Sequence, residues 1–256
     1  PEVRLRDLEP MQASQGGGDD EPPSLRVAIA SVISPRGTIL SYNALLDYLG
    51  AHLGRRVKLV QRQTYAETND LIARAGVDMA FICTGAYVEG QRERRMELLV
   101  APQVNGKMVY YSYIIVPDDS PARTLDDLRG KVFAFTDPLS NSGRLAVVYA
   151  LAQRGERAET FFNHYIYTYS HDNSIRAVAD RVVDGAAVDS LVYDFFLESA
   201  PEVGAKVRVI EQSSPFAIPP VVVPSGLDPS LKAQLRYLLL NMHEDAQGRA
   251  ALAELR

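Results

Sequence analysis

Two clusters of small polar residues and one lone thiol hold the side chains best suited to chemistry. In "DPLSNSGR", Ser140, Ser142 and Gly143 lie where a loop enters a helix, so hydroxyls and unpaired backbone N–H groups point the same way. That arrangement can cradle an anion, and it can equally be a plain N-cap. "YSHDNSIRAV" repeats it, with His171 and Asp172 expected to be exposed at a helix start. A carboxylate there either caps the helix or accepts hydrogen bonds from a protonated ligand. "AAVDSLVYD" puts Asp189 at the end of a strand, where open α/β sheets gather ligand groups, and just ahead of a helix that it could simply cap. Thr38 and Tyr42 open the first helix and are further candidates, Tyr42 also fitting a core-facing stripe. The only cysteine, Cys83, stands in "VDMAFICTGAYVEG" where a strand gives way to a helix. Most free cysteines are small buried apolar residues, but a helix start lowers a thiol pKa. A thiolate there would repel a phosphate-like dianion and bond a thiophilic centre.

Composition narrows the classes of function. The net charge of -5, with 27 Lys and Arg scattered along 256 residues, provides no basic stripe for phosphate backbones, so nucleic acid is not an expected partner. No apolar run approaches the roughly 20 residues of a bilayer span. One Cys permits no internal disulfide. An enzyme is not expected either. "HDNS" with Asp189 lacks a nucleophile motif such as G-x-S-x-G, and the four His residues form no metal-type cluster. No cofactor is expected.

The elements that must position these residues alternate in an α/β manner from Leu25 onward. Residues 1–24, with three consecutive glycines and Pro22-Pro23, offer no apolar face and read as a flexible arm that could act as a tether. "LRVAIA", "RVKLVQR" and "VDMAFI" read as strands separated by helices, one of them opening on the capping-box pair Thr64 and Glu67. Asn105-Gly106 signals a hairpin-type turn between "ELLVAPQV" and "VYYSYIIVP". Extended segments at 109–117 and 213–223 bracket a block with its own βαβα order. This predicts one lobe from residues 25–114 and 216–256, a second, inserted lobe from 115–215, and two crossing strands between them. The layout resembles the type II periplasmic binding protein fold, in which a ligand sits between lobes that close by hinge bending.

Five pieces in order make the resemblance specific: "LDYLGAHLGRRVKLV", "VDMAFICTGAYV", "TLDDLRGKVFAFTDPLSNSG", "SHDNSIRAVADRVVDGAAVDS" and "IPPVVVPSGLDPSLKAQLRYLL". They are similar to the phosphate, phosphite and phosphonate binding-protein family of ABC transporters. The resemblance implies a non-catalytic extracytoplasmic receptor for a small tetrahedral oxyanion, with an ABC permease as partner, and it places Asp189 and Tyr87 in the pocket. The chain departs from the family where the loop after the third strand typically reads Phe-Leu-Gly-Pro-x-x-Tyr, so that Cys83 falls on the Gly and Thr84 on the Pro.

A pocket cysteine resembles the periplasmic arsenite-binding relatives of this family, the sensory component of the arsenite oxidase regulatory system. That resemblance implies arsenic held by Cys83 and a signal passed to a membrane histidine kinase. Arsenite is mostly a neutral trihydroxy species near pH 7, so hydroxyl and carboxylate neighbours suit it. The candidate loops carry no Lys or Arg apart from Arg36 and Arg144. Arsenite binding is the leading expectation, with a phosphorus oxyanion as the alternative.

Overall fold

The computed structural model describes residues 24–255, so the proposed arm falls, but for Ser24, outside the described residues. Two five-stranded sheets each carry their own core. The first comprises β1 (Leu25–Ile29), β2 (Val57–Gln61), β3 (Met79–Phe81), β4 (Met96–Val100) and, from the far end of the chain, β12 (Val221–Pro224), in the order β2-β1-β3-β12-β4. The helices α1 (Pro35–Leu53), α2 (Tyr65–Ala73) and α3 (Thr84–Arg92) follow β1, β2 and β3. β1 is parallel to both β2 and β3, while β12 runs antiparallel to β3 and β4. The second sheet is ordered β10-β6-β9-β7-β8, from β6 (Ser112–Pro117), β7 (Val132–Phe135), β8 (His164–Tyr167), β9 (Gly185–Asp189) and β10 (Val207–Gln212). Its helices are α4 (Ala146–Ala152), α5 (Ala158–Phe161), α6 (His171–Ala179), α7 (Ser190–Ser199) and α8 (Pro201–Gly204), after which α9 (Pro229–Asn241) and α10 (Ala246–Leu255) return to the first lobe.

Between the sheets lies a ribbon of two short strands, β5 (Val109–Tyr110) and β11 (Phe216–Ala217), antiparallel to one another. Ser112 to Ile114 belong to the second sheet rather than the first lobe, because β6 pairs with β9 from Ser112 onward. The Asn105-Gly106 turn forms, with φ 49° and 74°, closed by a single Val104–Lys107 bridge. No hairpin extends from it, since β4 pairs with β12 and β5 with β11.

Local rules explain the helix starts that matter for the site. Thr64 and Glu67 cap each other at α2, a reciprocal pairing that stabilises by about 1 kcal/mol. Pro35 opens α1 at a position that needs no N–H. Ser140 accepts from Gly143 N at 3.0 Å and starts a one-turn π-helix, Asn141–Leu145, which continues into α4. Gly143 is required there, because a Cβ would collide with Thr136.

Candidate functional site

The helix starts of both lobes converge on one seam. From the first lobe come the loop before α1, the start of α2 and the start of α3. From the second come the Asp137–Asn141 loop, the start of α6 and the β9–α7 junction. Among the described residues, four hydrogen bonds join the lobes across the seam and a fifth ties the second lobe to the ribbon at Tyr110. Asp172 Oδ1 accepts from Ser34 N at 2.9 Å, Val32 O from His171 N at 2.9 Å, and Asp137 Oδ2 from Tyr65 N at 3.1 Å. Asn141 N donates to Cys83 Sγ at 3.5 Å, and Asn141 Nδ2 donates to Tyr110 OH at 3.0 Å. A Cβ on Gly85 would strike the Leu139 carbonyl opposite, so α3 meets the loop with no spare room. The lobes are closed on one another.

Asp189 lies at the centre of the seam. It is 3% exposed, and its Oδ1 caps α7 by accepting from Leu191 N at 2.8 Å and Val192 N at 3.4 Å. Burial nevertheless dominates those bonds and pushes its carboxyl up to about 7. Hydroxyl donors gather around it. Tyr42, set edge-on to Phe81 at 5.2 Å, is raised to about 12 by burial and then by Asp189. Burial likewise raises Tyr65 and Tyr110, each of which also feels Cys83 and Asp189. His171 is buried, and its Nδ1 accepts from Asp189 N at 3.0 Å, which leaves the proton on Nε2. Burial drives His171 down to about 3, so it is neutral at physiological pH.

Several expectations change at this point. His171 and Asp172 are buried rather than exposed, at 1% and 8%, because the start of α6 is sealed by the opposite lobe. Asp172 spends Oδ1 on Ser34 N of the other lobe. Cys83 does not gain a lowered pKa from its helix start. Burial pushes the thiol up to about 11, outweighing the amides of Asn141, Gly85 and Ala86 that face the sulfur. The group in the seam is a thiol, not a thiolate. Thr84 Oγ1 bonds Ala217 O of β11 at 2.9 Å and so ties α3 to the ribbon. Thr38 is fully buried and turns its hydroxyl back on Ile33 O at 3.3 Å. Tyr87 is half-buried against the core beneath α2 and α3. Ser140 is occupied by its capping bond, whereas Ser142 is fully buried with an unpartnered Oγ.

Sequence reasoning missed Tyr65, Tyr110, Asn141 and Asp137. The Thr64 capping box accounts for the local pattern around Tyr65, and Tyr110 sits in a two-residue strand, so neither stands out by spacing. The signal that finds them is hydrogen-bond bookkeeping in three dimensions. Among buried side-chain atoms of the described residues, Tyr65 OH, Ser142 Oγ, Ser170 Oγ, Asn69 Oδ1 and Arg144 Nε have no partner, and the three hydroxyls belong to the start of α2, the π-turn and the N-cap of α6. Three surface hollows, of about 390 to 430 Å³, lie away from the seam: one beside α1 and β2, two on the second lobe around Asp119 and Arg181. They carry none of this donor set. No cluster of metal-ligating side chains occurs among the described residues, and no helix among them is long and apolar enough to cross a membrane.

Comparison with known proteins gives a consistent family. The profile described as "ABC transporter, phosphonate, periplasmic substrate-binding protein" matches residues 27–256. A phosphate-import protein PhnD of Mycolicibacterium smegmatis is 26% identical, over 88% of this chain and 77% of its own length. The phosphonates-binding periplasmic protein of Escherichia coli is 24% identical, over 94% of this chain and 73% of its own. Among solved structures, the binding protein component of an ABC phosphonate transporter from Pseudomonas aeruginosa superposes with a TM-score of 0.86 at 24% identity, covering 91% of this chain and 79% of that one. The two sheets and their helices have the arrangement of type II periplasmic binding proteins.

Proposed function

The chain belongs to the periplasmic substrate-binding proteins of phosphonate ABC transporters, and from that membership we propose that it captures a small phosphorus oxyacid between its lobes and delivers it to an ABC permease. The family consists of periplasmic binding proteins rather than enzymes, and the seam has the character of a receptor site. The observation that carries the reading is the meeting of α3 and the π-turn at the Asn141–Cys83 contact, with the unpartnered hydroxyls of Tyr65, which packs with Cys83, and of Ser142 in the same turn. Helix starts supply N–H groups and positive dipole ends, and free hydroxyls add donors, a set suited to oxyanion oxygens.

Electrostatics refines the ligand. Apart from its two α7 amides, what acts on Asp189 is burial and the like charge of Asp194, with no offsetting cation among the described residues. His171 is neutral. A fully ionised dianion would therefore face a buried carboxylate with no compensating cation. An oxyacid that keeps one proton can donate it to Asp189 while its other oxygens take the hydroxyl and amide donors. Phosphonates, phosphite and phosphate all keep such a proton near neutrality, whereas sulfate does not.

A second reading follows from Cys83, which lies in the seam within the field of Asp189. A thiol can displace one hydroxyl of neutral arsenite, forming a sulfur–arsenic bond and releasing water. A protein working this way would act as an arsenite sensor for a membrane histidine kinase. That reading rests on this one side chain, and the phosphorus oxyacid is preferred because it uses the whole donor set. Thermal-shift titration separates the two, since a ligand that binds only the folded form raises the apparent stability. Methylphosphonate, phosphite or phosphate should raise the transition of both wild type and Cys83→Ser, with sulfate inert. Stabilisation by arsenite alone, lost in Cys83→Ser, would replace this reading with the second.

A further inference from the structure

The chain passes between the lobes on two strands, and on the second lobe each passage is fastened by a serine. β6 runs antiparallel to β9 on one side and to β10 on the other, so its amides alternate between the two neighbours. At Tyr111, one residue before β6, the β9 side has run out of strand, because the chain turns into α7 at Ser190. Ser190 N still donates to Tyr111 O at 3.0 Å, and its hydroxyl takes the place of a strand carbonyl by accepting from Tyr111 N at 3.0 Å. The β10 side repeats the device. Ser213, just past β10, donates its N–H to Ser112 O at 3.0 Å and accepts from Ser112 N on Oγ at 2.9 Å. One residue further out the pairing changes lobes. Tyr110 and Phe216 pair with each other in the ribbon, which Thr84 ties to α3 through Ala217 O. Ser214 and Pro215, between Ser213 and Phe216, belong to no strand, and Pro215 has no N–H to donate.

We propose that Ser190 and Ser213 are positioning residues that set where the hinge bends: by fastening Tyr111 and Ser112 to the second lobe, they confine bending to the Tyr110–Tyr111 link and to Ser214–Pro215. Asp189, which faces Ser112 across the ladder, then moves as one body with the crossing strand. The four serine bonds lie within the second lobe and its crossing strands, so none of them depends on how far apart the lobes stand. Without a hydroxyl acceptor, the start of β6 peels from its neighbour as the hinge bends, and the peeling runs along the ladder past Asp189. One net hydrogen bond corresponds to about a fivefold rise in such opening. Ligand affinity falls with it, a consequence that rests on the ligand reading above. The position of the hinge does not.

The test therefore begins without ligand. Amide hydrogen exchange of the full chain, resolved by residue with NMR, reports local opening directly. In Ser190→Ala, exchange is expected to quicken at Tyr111, which loses its acceptor, and about fivefold or more at Tyr113, the next β6 amide on the β9 side, which bonds no serine. Ser213→Ala should spread the same change from Ser112 to Ile114 on the β10 side, while Ser213→Thr, which keeps the hydroxyl, should exchange as wild type does. Ser213 is half-buried, so its variants carry the test even if Ser190→Ala does not fold, and unchanged protection of Phe133 and Ala134 in β7 identifies an intact second lobe. Quickening confined to Tyr111 and Ser112 would overturn the proposal, because the rest of the ladder would then hold the strand unaided. So would a wild-type Ser214 amide as well protected as that of Ser112. Calorimetry with methylphosphonate reads the second consequence, an affinity about fivefold weaker in Ser190→Ala. The expected exchange pattern in a wild type that binds no methylphosphonate would count against the ligand reading and leave the hinge assignment standing.

Discussion

Asp189→Asn isolates the most unusual electrostatic feature of the seam. Burial raises the Asp189 carboxyl from 3.8 to about 7, so the folded protein holds this proton more tightly than the unfolded chain does. The sign follows from that. The contribution to stability is fully present below the unfolded value and is lost as pH rises through about 7. The span of roughly three pK units corresponds to about 4 kcal/mol at the alkaline end, with about 2 to 3 kcal/mol of it appearing between about pH 5 and about pH 8.5. Asparagine keeps the oxygen that accepts from Leu191 N and Val192 N, but it does not ionise. Urea unfolding of ligand-free wild type and variant, side by side across this range, should show the variant gaining relative stability as pH rises. Parallel profiles would mean that Asp189 is ionised at little cost in the folded protein, and the argument that the ligand must bring a proton would fail with it.

His171 predicts the opposite trend on the acid side. Its folded pKa of about 3 means that its contribution is present above 6.5 and is lost as pH falls toward 3, about 1.4 kcal/mol for each pH unit, so His171→Gln should flatten the acid limb of urea-midpoint measurements. Gly85→Ala places a methyl group against the Leu139 carbonyl across the seam, not within either core. Its ligand-free melting temperature should stay within a few degrees of wild type, while calorimetric affinity for methylphosphonate falls at least tenfold, a loss of roughly 1.4 kcal/mol or more. Cys83, buried and raised to about 11, should react with a thiol reagent at neutral pH at least about tenfold more slowly than a free small-molecule thiol, with the rate recovering when urea unfolds the chain.

The alternation of strands and helices was legible from Leu25 onward because each element carries its own local signal, such as the Thr64–Glu67 capping box or the Gly54 stop after α1. Asp189 was legible for the same reason: a strand end followed by a helix is a local event. The register of the seam was not. Nothing in the neighbourhood of Asp172 says that Ser34, 138 residues earlier, will donate to it. Nor does the sequence around Cys83 say that Leu139 and Asn141 will close over it and remove the water that a low thiol pKa requires. The misreading of Cys83 came from applying a rule for exposed helix starts to a start that another lobe covers. The lobe boundary slipped by a few residues in the same way, since β6 begins where its partner β9 allows, not where its apolar run begins.

The measurement that tests the central claim most directly is a calorimetric titration of wild type and Asp189→Asn with methylphosphonate, repeated from about pH 6 to about pH 8.5 in buffers of different ionisation enthalpy. The account predicts one site per chain, affinity that weakens as the ligand and Asp189 lose the proton they share, and loss of that pH dependence in the variant. Binding that strengthens as pH rises, or no heat with any phosphorus oxyacid at any pH, would contradict it.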